Sequence, residues 1–241
     1  QTAVYMADGY NRVKGKPEAV AIVVPGPGVQ NASAALGTAY ACSSPTMLIA
    51  GQIPSGFLGK KTGQLHEIHR QIDTLKRVTK WCTTSYEVSD IAPNINTAFR
   101  FMKSNRPRPT AVEIPPDVLG AKQSIDFPSP AQYETPPINS QHILDAAAII
   151  AEAQKPIIWA GGGVIISDAS RQLTRLAELL GAIVVTTPEG KVQLQGLFDV
   201  IHTRHLPTRH NQMWVFFRFF LENSGRKDPG TTHTMRLFLK R

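Results

Sequence analysis

Short β-branched runs that stop at proline or glycine and hand over to helical stretches constrain this chain most. Ala19–Val24 is an uninterrupted run of the kind buried in parallel sheets. It enters Pro25-Gly26-Pro27-Gly28, after which Asn31–Cys42 is small, apolar and helical in pattern. Pro45–Ala50 is a second buried run, closed by Gly51-Gln52-Ile53-Pro54. Before them, Ala3, Met6, Ala7 and Tyr10 lie at helical spacing within Thr2–Arg12, and Gly15-Lys16-Pro17 ends that helix. A polar stretch follows, then an amphipathic helix over Ile91–Lys103 and a strand over Thr110–Ile114, stopped by Pro115-Pro116. Such alternation predicts α/β architecture with a parallel sheet.

The pattern lapses over 120–137, which holds Pro128, Pro130, Pro136 and Pro137 and reads as a linker between a first domain, 1–119, and a second. It restarts from Ile138. Ile143–Ala153 is an Ala-rich helix, Lys155–Ala160 a strand and Gly161-Gly162-Gly163 a tight turn. Ala169–Leu180 places Leu173, Leu176, Ala177 and Leu180 on one helix face, Gly181 caps it, and Ala182–Thr186 is the next strand. The reading is a second, incomplete α/β domain over 138–191.

Residues 192–241 differ in kind. Of the chain's net charge of +8, a net +5 falls here, from eight basic and three acidic residues. Six of the ten phenylalanines and four of the seven histidines are here too. Aromatics interleaved with charge superficially suit single-stranded nucleic acid. The segment lacks caps, turns and a consistent period, however, so a nucleic-acid arm is not the expectation. So abrupt a change is expected of a shifted reading frame, and the basic balance loses its value as a guide to partners.

Length and composition bound the rest. A chain of 241 residues with 42% hydrophobic and 18% charged residues has the makings of a sizeable core. Two cysteines, Cys42 and Cys82, make no disulfide framework, and no apolar run reaches the ~20 residues of a membrane span; the expected location is the cytoplasm. The first residues hold no signal peptide, and the absence of an initial Met is expected of a processed or truncated start.

Several motifs were weighed for chemistry. A dinucleotide fingerprint needs a third glycine where Asn31 stands and an acid after the next strand, where Ala50-Gly51-Gln52 stands; an NAD site is disfavoured. His66-Glu67-Ile68-His69 has Arg70 where a zinc helix needs its second histidine, so a polar loop or helix start is expected and no metal ligand is assigned. No Gly-x-Ser-x-Gly elbow occurs, and nothing supports secretion beside the sequon at Asn31-Ala32-Ser33.

Taken together, TAVYMADGYNRVKGKP, VPGPGVQNASAALGTAYACSSPTMLIAGQIP, RVTKW and SNRPRPTAVEIPPDV resemble the thiamine-diphosphate-dependent enzymes, in their acetolactate synthase-like branch. The likeness runs from Gln1 to about Lys191. It implies most of a pyrimidine-binding domain and the first part of a central domain, without the diphosphate-binding domain and its metal motif. It implies a lyase or carboligase acting on a 2-oxo acid, with Mg²⁺ bridging the diphosphate and a homodimer or homotetramer as the intact assembly.

Carried over by position, Gly26, Pro27, Gly28 and Asn31 match the loop that packs on the pyrimidine ring. Gln64, the one catalytic assignment, matches a glutamine at the active-centre rim. Gln52 and Pro54 match a segment near the substrate entrance, and Gly161, Gly162 and Thr187 fall where the synthase branch touches FAD, a cofactor many relatives do without. The family's glutamate falls immediately before Gln1. Pro25 stands where Ser or Thr is commoner, and LHEIHRQIDTLK is longer than in the biosynthetic synthases, which favours a less specialised relative. The expectation is a partial chain, inactive by itself, with a non-catalytic partner in mixed dimers as the alternative.

Overall fold

A computed structural model describes residues 1–130 and 137–187, together with two three-residue strands further on. The chain divides into two compact units, Gln1–Pro136 and Pro137–Arg241.

The first unit is a four-stranded parallel sheet between helices. Its strands are β1 (Val20–Val23), β2 (Met47–Gly51), β3 (Trp81–Thr84) and β4 (Thr110–Ile114), in the order β1-β2-β4-β3. Its helices are α1 (Thr2–Lys14), α2 (Pro27–Ala41), α3 (Gln71–Val78), α4 (Val88–Lys103) and the short α5 (Pro116–Gly120).

Strand alternation sorts the core into two layers. Leu48 and Ala50 of β2 and Ala111 of β4 face α1, α2 and α3, against Val4, Ala7, Val29, Ala32, Leu36 and Leu75. Met47, Val112 and Ile114 face the opposite way, against Ala98 and Met102 of α4 and Val118 of α5. Glu113, two residues on from Ala111, therefore belongs to the first face, at the register position of both Ala50 and Thr84.

The buried Asn11 side chain ties α1 to the segments that lead into β1 and β2. Asn11 donates to the carbonyls of Ala19 (3.0 Å) and Pro45 (2.9 Å) and accepts from the amides of Glu18 (2.9 Å) and Ala19 (2.8 Å). All four bonding positions of its amide are thereby used. Helix α1 ends at Gly15 in the left-handed region, as its sequence implies.

Four elements of this unit depart from expectation. Helix α2 begins at Pro27, four residues before the expected Asn31, because proline at N1 brings its own φ and the amide it lacks has no partner there anyway. The polar stretch carries α3 and β3, neither of which was expected; α3 has only eight residues and starts after Arg70, which offers no capping side chain. Helix α4 also starts earlier than Ile91, at Val88, behind a reciprocal cap between Glu87 and Asp90.

The second unit holds α6 (Ser140–Ala151), β5 (Ile157–Ala160), α7 (Gly163–Ile166), α8 (Ser170–Leu180) and β6 (Ile183–Thr186). Asn139 caps α6, accepting from the amides of Gln141 and His142, which moves the helix start ahead of the expected Ile143. Strands β5 and β6 are parallel, and Ile158, Ala160, Ala177, Ala182 and Val184 form the core with Leu173, Leu176 and Leu180 packed on it. Strand β7 (Trp214–Phe216) pairs with β5 at Ile157 and Phe216, and β8 (Phe238–Lys240) pairs antiparallel with β7. The rest of the expected atypical tail lies outside the described residues. Among the described residues no helix is long and apolar enough to cross a membrane.

Candidate cofactor site

Beyond the carboxyl ends of the first sheet's strands, three loops meet around one glutamine. Strand β1 runs into Pro25-Gly26-Pro27, where Gly26 adopts φ 60°, ψ −112°. A Cβ on Gly26 would lie 2.4 Å from the His66 carbonyl oxygen, so the turn and the loop before α3 touch backbone to backbone. His66 and Arg70 themselves hold positive φ, at 68° and 55°, which bends that loop over the turn.

The glutamine is Gln71, first residue of α3 and 1% exposed. Its Oε1 accepts the Gly26 amide at 2.7 Å, and its Nε2 donates to the Gly51 carbonyl at 3.0 Å and to Glu113 Oε1 at 2.8 Å. The other Glu113 oxygen accepts the Thr84 hydroxyl at 2.8 Å, and the Gln52 side chain also bonds to Glu113. This network links the ends of all four strands. Burial pushes the Glu113 carboxyl above its ordinary range, Asp73 adds to that, and the bonds from Gln71, Thr84 and Gln52 oppose it.

The residues singled out by sequence divide between the two units. Gly26, Pro27 and Gly28 form the turn and first turn of α2, with Asn31 exposed on that helix. Gln64 sits in the loop over the turn, two residues before His66; its amide donates to Glu67 Oε2 at 2.9 Å and its side chain donates to Thr62 at 3.4 Å. Gln52 is buried in the network, with its Oε1 accepting from the Ile53 amide at 2.8 Å. The loop after Pro54 is fastened to α5 instead: the Ser55 amide donates to Asp117 Oδ1 at 2.9 Å and the Ser55 hydroxyl to Asp117 Oδ2. Those bonds hold the Asp117 carboxyl below its ordinary range.

In the second unit, Gly161, Gly162 and Thr187 do come together. The Thr187 amide donates to the Ala160 carbonyl at 3.0 Å, and a side chain added at Gly161 would meet only Thr187, at 3.9 Å. Sequence reasoning missed Gln71, Glu113 and Asp117. The only signal for them was an acid inside an otherwise apolar strand, TAVEI.

The turn's chemistry restricts its ligand. Gln71 takes the Gly26 amide, Pro27 has none, and the Gly28 amide donates back to Pro25 at 3.4 Å. A phosphate nest needs such amides aimed outward. Val24, just before the turn, is 57% exposed, while Asn31 on α2 and Gln64 in the loop before α3 are neutral hydrogen-bonding side chains. This suits an uncharged heteroaromatic ring better than an anion.

Comparison with known proteins gives the family. Residues 1–76 match the thiamine pyrophosphate enzyme N-terminal TPP-binding domain, and 143–199 match the thiamine pyrophosphate enzyme central domain. The chain belongs to the thiamine-pyrophosphate-dependent enzymes, in an acetolactate synthase-like family. It is 36% identical over 201 residues to a probable acetolactate synthase large subunit of Methanocaldococcus jannaschii, covering 79% of this chain and 33% of that one. It is 38% identical over 194 residues to a probable 2-ketoarginine decarboxylase of Pseudomonas aeruginosa, covering 79% and 34%. The acetolactate synthase large subunit of Corynebacterium glutamicum is 34% identical over 212 residues, covering 86% and 32%.

This member of the family thus spans about a third of the length of the curated relatives it matches. The central-domain match runs to residue 199. The turn, Gln64 and Gln71 all lie within the first matched region, and Gly161, Gly162 and Thr187 within the second.

Proposed function

We propose that the first unit receives the aminopyrimidine of thiamine diphosphate on the Gly26 turn, as part of an enzyme acting on a 2-oxo acid. The observation that carries this is the turn's use of its amides inward, which leaves an apolar, uncharged platform where the matched domain needs one. When bound, the cofactor supplies a carbanion that adds to the 2-oxo group and an electron sink for decarboxylation. The residues of this chain have simpler tasks. Gly26 and Pro27 present the ring surface, Val24 excludes water, and Asn31 and Gln64 supply neutral hydrogen-bonding groups at its edge. Gln64 is assigned to the active-centre rim by its position in the family resemblance.

The similar proteins include acetolactate synthases and a 2-ketoarginine decarboxylase, so the donor is read as a 2-oxo acid and the reaction as decarboxylation with or without transfer to an acceptor. The chain alone is read as inactive. Gly161, Gly162 and Thr187 are assigned to a flavin in members that carry FAD. Magnesium is assigned to no described residue, since no group of three or more His, Cys, Asp or Glu among them is placed to hold a metal ion. Self-association follows from α1, where Met6, Tyr10 and Val13 form an exposed apolar stripe; Met6 is 70% and Val13 89% exposed. Free thiols at Cys42 and Cys82 suit the cytoplasm.

Calorimetric titration of the chain with thiamine, thiamine diphosphate and NAD tests the site. Similar affinity for the first two and none for NAD is expected. Binding that requires the diphosphate would instead place recognition at an anion site and refute the reading.

A further inference from the structure

The Gly26 turn is held by something other than its own sequence. Its φ and ψ lie outside the basins L residues occupy, and its amide is buried against Gln71 rather than against backbone. Gln71 in turn has no freedom to rotate. Each of its three polar hydrogens and acceptor sites in use is committed: Oε1 to Gly26, and the two Nε2 hydrogens to Gly51 and Glu113. Were the amide to turn over, Nε2 would face the Gly26 amide and Oε1 would face a carbonyl and a carboxylate. Donor would meet donor, and acceptor would meet acceptors.

What fixes the amide's sense is Glu113, an acceptor on both oxygens. Thr84 holds its far oxygen at 2.8 Å and Gln52 bonds to it as well. The charged group that acts on Glu113 is Asp73, of the same sign. A buried acid without a counter-charge is costly to stability. An apolar residue at 113 would avoid that cost but leave the bonds from Gln71, Thr84 and Gln52 unmade, so the acid serves the network rather than the core.

We propose that Gln71, oriented by Glu113, is a positioning residue that sets the Gly26 turn for the aminopyrimidine ring. Neither side chain touches the ring; each acts through the backbone of the turn. The inference rests on the reading of this turn as the pyrimidine site.

The experiment compares wild-type chain with Gln71→Met, Glu113→Leu and Glu113→Gln. Two quantities are read: hydrogen exchange at the Gly26 amide against that at Ala35 and Leu36 in α2, and the affinity for thiamine diphosphate from amide shifts. Gln71→Met and Glu113→Leu are expected to speed Gly26 exchange about tenfold, leave α2 unchanged and weaken binding about tenfold. Glu113→Gln is expected to stay within about twofold on both. Its carbonyl still accepts from Gln71, and its amide donates to the Thr84 hydroxyl. Thr84→Val, which loosens Glu113 from its far side, stands in if Gln71→Met does not fold, and is expected to shift both readings the same way by about threefold.

Unchanged Gly26 exchange in Gln71→Met overturns the proposal. So does an equal rise at Gly26 and across α2, which marks a loss of stability alone. If wild type itself shows no thiamine diphosphate binding, the reading of the site fails, and the Gly26 exchange ratio alone then decides the positioning role.

Discussion

Replacing Gly26 by Ala perturbs the point where the turn and the loop before α3 touch. Two effects add. The residue holds φ 60°, and an L side chain there costs about 1–2 kcal/mol. The new Cβ would also lie 2.4 Å from the His66 carbonyl oxygen and 2.9 Å from its carbon, so the loop's backbone must move, a strain of about 1–3 kcal/mol. The two sum to about 2–5 kcal/mol, which in a unit of this size lowers Tm by roughly 10–20 °C. Gly37→Ala is the matched control. It lies inside α2, nothing stands within 4 Å of its Cβ, and it is expected to stabilise by about 0.5–1 kcal/mol. Thermal unfolding followed by circular dichroism, at one pH and concentration, gives both values. A Gly26→Ala chain as stable as wild type would refute the backbone contact and the account of the turn built on it.

Three further outcomes follow from charge and exposure. Glu113 has a native pKa above its ordinary 4.5, so its favourable contribution is complete below that pH and is lost as pH rises through the native value. Glu113→Gln should therefore gain stability relative to wild type as pH rises across that window, and a flat difference curve in urea melts would be contrary. Lys80 has its ammonium lowered to about 8, first by burial and then by Arg108, while donating to the Arg106 carbonyl at 3.1 Å and to that of Ser104. Because native Lys80 releases its proton first, stability should climb between about pH 8 and 10.5, by about 1–2 kcal/mol after allowance for solvent screening. Lys80→Met should abolish that climb in the same melts. On α1, Met6→Glu with Val13→Glu should leave Tm within a few degrees yet shift sedimentation toward the monomer; an unchanged sedimentation coefficient would separate the stripe from self-association.

The strands that sequence could reveal are those built as apolar runs between proline and glycine. VAIV, MLIAG and TAVEI all read as strands because they are apolar, β-branched runs, and in MLIAG and TAVEI both faces are covered, whereas Ile22 of VAIV is exposed. WCTT did not, since all four of its residues are only partly buried and two are threonine. Helix α3 was hidden by its shortness and by Arg70 at its start, where no capping side chain announces it. The turn was legible as a site through Pro25-Gly26-Pro27-Gly28, but its support was not. Gln71 and Glu113 are 42 residues apart, and they meet only because β4 inserts between β2 and β3. Gln52 was legible as a polar residue after a strand, while its inward direction depended on a carboxylate from another strand.

The most direct measurement of the central claim is amide shift mapping of the full chain titrated with thiamine diphosphate. The account predicts that the largest shifts fall on Gly26, Gly28, Val29 and Asn31, with the Gln64 side-chain amide moving with them. Saturable shifts confined to other surfaces, or none at all up to millimolar cofactor, would contradict it.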